Sequence, residues 1–136
     1  MASNAFLSYQ TADKASAGRV KAALAKVKIS SFLAHEDIAV SEEWRSKILE
    51  ELAKIDLFIC LLSKHYLESA WCVQESGIAV FRPGVAIVPL SLDGTTPPAF
   101  MSHLQSVKVK PDDISLDTLL PAFIKHDFPV VSQRLV

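Results

Sequence analysis

A run of apolar residues, 57-LFICLL-62, is the feature that most constrains what this chain can fold into. The run does not alternate with polar residues and ends at Ser63. It is therefore typical of a β-strand that is covered on both faces, and it is far too short to span a bilayer. A second apolar run, 85-VAIVPL-90, has the same character. Strands of this kind belong to parallel sheets with helices packed on both faces.

The segments around these two runs alternate between strand and helix patterns. Further strands are predicted over 5–9, 29–33 and 104–109. Helices are predicted over 11–27 with Thr11 as N-cap, from Ser41 to Ile55, from Ser69 to the stop at Pro83, and over 115–126 with an interruption at Pro121. The segment 64–69 is predicted as a turn. This alternation implies an α/β sheet with helices on both faces.

Length, charge and cysteine content limit the class of protein. The 136 residues suggest a single domain over 1–136, and the net charge of −1 gives no reason to expect a nucleic-acid partner. Neither a basic amphipathic helix nor a signal-peptide layout is present, so no membrane partner is predicted. Cys60 and Cys72 lie in apparent core elements, which indicates reduced thiols in a cytoplasmic protein. The apolar tail over 128–136 suggests a chain cut from a longer one, or a surface that packs against something else.

Several enzyme classes lack their motifs. The four glycines are isolated, so no dinucleotide fingerprint, phosphate loop or nucleophile elbow is present. The four histidines are scattered without ligand spacing, and no metal site is predicted. A phospho-acceptor receiver domain would need acidic residues at the ends of the first and third strands. Those ends carry Ser8 and Ser63 instead.

A candidate site follows from the predicted sheet. Ligands bind outside the carboxyl ends of parallel strands. This rule selects Ser8, Tyr9 and Gln10, the loop 34–41, the segment from Ser63 onward and the start of the helix in 69-SAWCVQES-76. In that helix Glu75 lies four residues after Trp71, on the same helical face. Spacing alone leaves two alternatives open: a catalytic carboxylate in a pocket, or a half-exposed residue paired with Arg82 or a lysine.

Three segments carry a resemblance to a known family: 5-AFLSY-9, 32-FLAHEDIAVSEEW-44 and 69-SAWCVQE-75. They resemble the Toll/interleukin-1 receptor (TIR) domain in its bacterial branch, and the last is similar to the S-x-W-C-x-x-E signature of TIR domains that cleave NAD. The likeness covers about residues 3 to 126. It implies a flavodoxin-like three-layer α/β/α fold with a central, mostly parallel five-stranded sheet. The sequence departs from the family at Asn4, where an acidic residue is frequent, and at Gln10 and Thr11, where some members carry basic residues.

The resemblance also implies a function. It indicates an NAD⁺ nucleosidase or cyclase that releases nicotinamide and forms ADP-ribose or a cyclic isomer, in bacterial anti-phage defence. NAD is the substrate, and no cofactor is implied. Self-association through the 34–44 loop and a sensor or effector domain elsewhere are implied as well. The alternative is a non-catalytic adaptor or scaffold that binds other TIR domains, or a mimic of host signalling. In the catalytic case Glu75 is the catalytic residue and the substrate contacts are Ser8, Tyr9, Gln10, Trp71 and Asp37, with Glu36 as the alternative to Asp37.

Overall fold

A parallel five-stranded sheet forms the centre of the molecule. The computed structural model describes residues 3–33 and 42–126. Its strands are β1 (Ser3–Ser8), β2 (Ile29–Leu33), β3 (Leu57–Leu62), β4 (Ala86–Ser91) and β5 (Val107–Lys108). The strand order is β2-β1-β3-β4-β5, and each neighbouring pair is parallel. The predicted α/β fold with a central parallel sheet is therefore confirmed.

Helices connect the strands and cover both faces of the sheet. They are α1 (Lys14–Ala25), α2 (Glu42–Lys54), α3 (Lys64–Glu68), α4 (Ala70–Phe81) and α5 (Leu116–Lys125). Short 3₁₀ turns occur at Thr11–Asp13 and Ala99–Met101. In the two ranges that the structure describes, no helix combines the length and the apolar character that crossing a membrane would require.

The side chains of β1 and β3 divide the core into two clusters, one on each face. Successive side chains of a strand point to opposite faces. Leu7 and Ile59 accordingly pack with α1 and α5 in a first cluster, which also contains Tyr9. Phe6 and Cys60 pack with α2 and α4 in a second cluster. The continuous apolar run of β3 is explained by this arrangement, because all six of its residues are buried.

Several predicted details differ from the structure. The N-cap predicted at Thr11 is wrong, because the Gln10 side chain accepts a hydrogen bond from Ala12 N and α1 begins only at Lys14. The predicted turn over 64–69 contains the five-residue helix α3. The last strand is two residues long rather than six. Helix α5 continues through Pro121 instead of being interrupted there. The predicted cap at Ser41 lies outside the described residues.

The strand order reverses direction between β1 and β3, which makes the carboxyl ends of these two strands the topological switch point of the sheet. Ser8 is the last residue of β1, and Ser63 follows β3 directly. Clefts in open α/β sheets form at such points because the connections leave toward opposite faces. The candidate site lies here.

Candidate functional site

Glu75 is a carboxylate in the interior, on α4. The Ser69 side chain caps this helix by accepting a hydrogen bond from Cys72 N at 3.2 Å, as predicted. That start places Glu75 on the side of the helix that faces the sheet, where only 2% of the residue is exposed. Cys72 and Ala79, one turn before and one turn after it, are completely buried in the second cluster. Glu75 therefore lies between two apolar residues on the buried face of the helix.

A short hydrogen-bond chain holds the Glu75 carboxylate. Ser8 Oγ donates to Glu75 Oε1 at 2.7 Å, and the same Oγ lies 2.9 Å from the Tyr66 hydroxyl. Tyr66 also donates to the backbone carbonyl of Cys72 at 3.1 Å. Ser8 and Tyr66 are both completely buried. The chain joins the end of β1, helix α3 and helix α4 at the switch point of the sheet.

Tyr66 remains a neutral hydrogen-bond donor in this environment. Burial raises the pKa of its hydroxyl well above the usual value, and the nearby Cys60, Cys72 and Glu75 raise it further by charge repulsion. The hydrogen bond with Ser8 acts in the opposite direction but is a smaller influence. A phenol that is not ionised keeps its proton available for its two oxygen neighbours.

One cavity near the candidate site lies between α2 and α4, and Glu75 is among the residues of its wall. This helix cavity has a volume of about 200 Å³. Its polar side chains come from Arg45, Gln74 and Glu75, and its apolar walls include Trp71, Leu49 and Ile78. Glu75, Arg45 and Trp71 thus border the same small, mainly apolar space.

The second cavity is an open cleft at the carboxyl edge of the sheet. This edge cleft has a volume of about 530 Å³ and is lined by Gln10, Thr11, His65, Glu68, Ser69, Ala70 and Trp71. Among these lining residues there is no lysine or arginine. Trp71 lines both cavities, so its half-buried indole forms a shared wall between them.

The structure brings some of the predicted site residues together and separates one. Ser8 contacts Glu75 directly, and Trp71 lines the helix cavity with it. Gln10 lies in the edge cleft on the far side of Trp71. Tyr9 is only 1% exposed and packs in the first cluster, on the face of the sheet opposite Ser8. Its ring is therefore in the core beneath α1 and not beside the Glu75 carboxylate.

The remaining predicted contacts, Asp37 and its alternative Glu36, lie outside the described residues. So does most of the 34–44 loop to which self-association was assigned. Within 3–33 and 42–126, no group of three or more His, Cys, Asp or Glu side chains is placed to hold a metal ion.

Sequence reasoning missed Tyr66, which completes the hydrogen-bond chain, and Arg45, which lines the helix cavity. Tyr66 carried a usable signal, because it lies three residues after Ser63, whose side chain caps α3 by accepting from Tyr66 N at 3.3 Å. A tyrosine in the first turn of a capped helix at the end of a buried strand is placed to turn inward. Arg45 carried no comparable signal, since an arginine in the first turns of an amphipathic helix is usually solvated.

The domain has a flavodoxin-like α/β fold, as its strand order and the helices on both faces of the sheet show. Its candidate site is the ligand-sized cleft at the carboxyl edge of the sheet, at the switch point. The family model described as "TIR domain" matches residues 5–120. The chain therefore belongs to the TIR domain family. Comparison with curated proteins gives no match.

Solved structures support the same fold. The chain is similar to the TIR domain of the Toll-related receptor TRR-2 from Hydra magnipapillata, with a TM-score of 0.67 and 16% sequence identity. The alignment covers 94% of this chain and 97% of the receptor domain. The TIR domains of the activated Roq1 resistosome, which directly recognises the pathogen effector XopQ, match 97% of this chain and 79% of theirs, with a TM-score of 0.57 and 17% identity. The diflavin flavoprotein A3 from Nostoc sp. matches 99% of this chain and 96% of its own, with a TM-score of 0.57 and 13% identity. At these identities the likeness concerns the fold.

Proposed function

We propose that this TIR domain is an NAD⁺ nucleosidase that breaks the bond between nicotinamide and ribose. The observation that carries the proposal is Glu75, a residue that is only 2% exposed and yet is among those that line a cavity beside Trp71. Burying a carboxylate in an apolar surrounding is costly unless it is well hydrogen-bonded. A charged side chain kept at the wall of a cavity is typical of a functional site.

The chemistry of NAD suits a single carboxylate. Most glycosidases use two carboxyl groups, one of which protonates the leaving oxygen. Nicotinamide in NAD is already a cation, so it leaves as a neutral base and needs no proton. The remaining difficulty is the positive charge that develops on the ribose ring. A preorganised carboxylate beside the ring stabilises that charge or holds a ribose hydroxyl, and Glu75 is assigned this role.

Trp71 supports a binding mode in which the dinucleotide extends across both cavities. Ligand pockets for molecules of drug size usually measure about 300–1,000 Å³. The helix cavity, at about 200 Å³, suits the nicotinamide and ribose end alone. The edge cleft, at about 530 Å³, suits the rest of the nucleotide, with Gln10 among its contacts. The indole between them offers its face to the cationic nicotinamide ring.

The proposal extends to the biological setting that the family resemblance implies. The product is ADP-ribose or a cyclic isomer, depending on whether water or a hydroxyl or adenine nitrogen of the substrate reaches the ribose carbon first. The setting is bacterial, cytoplasmic and defensive against phage, with NAD depletion or a nucleotide signal as the outcome. Self-association through the 34–44 loop and the substrate contact of Asp37 belong to the proposal as well.

A non-catalytic adaptor is the second candidate, and exposed apolar side chains favour it. Phe81, at the end of α4, is 87% exposed, and Phe100 is 78% exposed. Large apolar groups on the surface suit contact with another protein. Such contacts are equally compatible with an enzyme that assembles, whereas the carboxylate in the interior supports the enzyme over the adaptor.

The test measures nicotinamide release from NAD by the purified chain at high protein concentration. Glu75→Gln keeps the shape of the side chain and removes its charge. We expect it to lower kcat by at least about 100-fold, the usual cost of losing one electrostatic stabiliser. Glu50→Gln is the matched control, because it makes the same chemical change at an exposed position of α2, where Glu50 pairs with Lys54 at 3.4 Å.

The outcomes separate the two candidates. Turnover by the wild type and Glu50→Gln, together with loss in Glu75→Gln, supports the nucleosidase. If Glu75→Gln still releases nicotinamide at the wild-type rate, Glu75 is not the catalytic residue. A wild-type chain that releases no nicotinamide even when crowded or assembled, but associates with other TIR domains, supports the adaptor.

A further inference from the structure

The hydroxyl of Tyr66 is a buried polar group that the proposed chemistry does not use directly. Tyr66 is on α3 and is completely buried in the second cluster. It is not among the described residues that line the helix cavity or the edge cleft. Its hydroxyl therefore has no route to a substrate, although it lies only one residue away from Glu75 along the hydrogen-bond chain.

Counting protons fixes the direction of that chain. An ionised carboxylate only accepts hydrogen bonds, so Ser8 supplies the proton in its 2.7 Å bond to Glu75 Oε1. A serine hydroxyl has one proton, so Ser8 Oγ has to accept in its 2.9 Å contact with Tyr66. The order of donation is consequently Tyr66 to Ser8 to Glu75. The Tyr66 proton is shared with the carbonyl of Cys72 at 3.1 Å.

Packing alone does not explain the hydroxyl. The ring of Tyr66 fills a position among apolar neighbours such as Cys60 and Leu62, and a phenylalanine ring would fill it equally well. Burying a hydroxyl costs free energy that its hydrogen bonds only balance. The gain from having a tyrosine here is the orientation that it imposes on Ser8, and through Ser8 on the carboxylate.

We infer that Tyr66 is a positioning residue, which holds Glu75 in its working orientation by donating through Ser8. The inference rests on the proposed nucleosidase function. Without the phenol, the Ser8 hydroxyl is free to rotate to other acceptors, which weakens its hydrogen bond to the carboxylate. Polarisation along the chain is lost as well, since a hydroxyl that accepts a bond becomes a stronger donor. A small misorientation of a reacting group lowers the reaction rate strongly.

The test is a double-mutant cycle on nicotinamide release with Tyr66→Phe, Ser8→Ala and the combination of the two. We expect Tyr66→Phe to lower kcat about tenfold while KM for NAD stays within about twofold, because one hydrogen bond is lost outside the binding surface. In the Ser8→Ala background the same substitution should change kcat by less than about twofold, since the intermediary is already absent.

Ser76→Ala is the matched control. Ser76 is adjacent to Glu75 and 3% exposed, and its hydroxyl donates within α4 to the Val73 carbonyl at 2.7 Å. Removing that buried hydroxyl tests whether any polar loss beside Glu75 has the same effect, and we expect kcat within about twofold of the wild type. Circular dichroism and urea denaturation confirm that each variant is folded. If Tyr66→Phe does not fold, Ser8→Cys is measured in its place, because a thiol is a weaker hydrogen-bond donor than a hydroxyl. Its kcat is expected to lie between those of the wild type and Ser8→Ala.

The outcomes are distinct from those of the proposed function. An inactive wild type contradicts the nucleosidase itself. An active wild type that Tyr66→Phe leaves unchanged contradicts only the role of Tyr66. An equal loss from Tyr66→Phe in the presence and absence of Ser8 shows that Tyr66 does not act through Ser8, which also overturns the inference. Ser8→Cys with full activity has the same consequence.

Discussion

Arg82 joins the two helices that form the helix cavity, and its removal should destabilise the fold measurably. It is the C-cap residue of α4, and its Nη1 donates to the backbone carbonyls of Leu52 at 2.7 Å and Ile55 at 3.0 Å. The Leu52 carbonyl is in the last turn of α2, where the last four carbonyls of a helix have no partner within it, and Ile55 follows the helix directly. A cation at this end is also favoured by the helix dipole.

The size of the effect can be estimated from these contacts. A hydrogen bond involving a charged group contributes about 1.5–3 kcal/mol, and here two bonds share one nitrogen on a half-buried side chain. We therefore expect Arg82→Met, which keeps most of the packing, to lower the free energy of unfolding by about 2 kcal/mol. For a chain of this length about 1 kcal/mol corresponds to roughly 4 °C in Tm, so Tm should fall by about 8 °C.

Urea denaturation followed by circular dichroism measures this change, with an unchanged m-value as the sign of a native-state effect. Arg19→Met is the matched control, because Arg19 donates a single bond to the Pro111 carbonyl from an exposed position. Its expected cost is below about 0.5 kcal/mol. A cost for Arg82→Met that does not exceed that of Arg19→Met would refute the reasoning.

Two further predictions concern the helix ends and acid stability. Ser115→Ala removes the side-chain oxygen that caps α5 by accepting a hydrogen bond from Thr118 N at 3.4 Å, and should lower the free energy of unfolding by about 1 kcal/mol in urea denaturation; an unchanged midpoint contradicts this prediction. The pKa of Asp93 is lowered, chiefly by the hydrogen bond from the Thr95 hydroxyl. Its stabilising effect is therefore present above the unfolded pKa of about 4 and is lost as pH falls through the folded pKa. The stability difference between wild type and Asp93→Asn should decrease on acidification from neutral pH, and a difference that increases contradicts the assignment.

Most of the strands were predictable because their patterns are local. Continuous apolar runs predict β3 and β4, and the position of Ser69 before an apolar helix predicts its role as N-cap. The side to which Tyr9 points was also available from the sequence. Alternation in β1 places Tyr9 with Leu7 and away from Ser8, so the strand period argued against a shared site.

The contacts that build the site could not be read from spacing. Ser8 meets Tyr66 across 58 residues of chain and Glu75 across 67. Their meeting depends on the pairing of β1 with β3, in which Ser8 is opposite Cys60. It also depends on a five-residue helix, α3, whose sequence is polar enough to be taken for a turn. Local propensity sets the elements, while the register between distant elements brings these hydroxyls to the carboxylate.

The same register bears on the choice between enzyme and adaptor. A domain that only presents a surface to another copy would gain from an apolar side chain at position 75, because Cys72 and Ala79 on the same helix face are buried and apolar. Replacing buried polar groups by well-packed apolar ones is often neutral or stabilising. This chain instead buries a carboxylate together with the Ser8 hydroxyl that donates to it, and the Tyr66 hydroxyl of α3 lies against Ser8 in turn. Three polar groups from three elements form this hydrogen-bond chain, and Glu75 among them also lines the helix cavity, which supports the proposed enzyme over the adaptor.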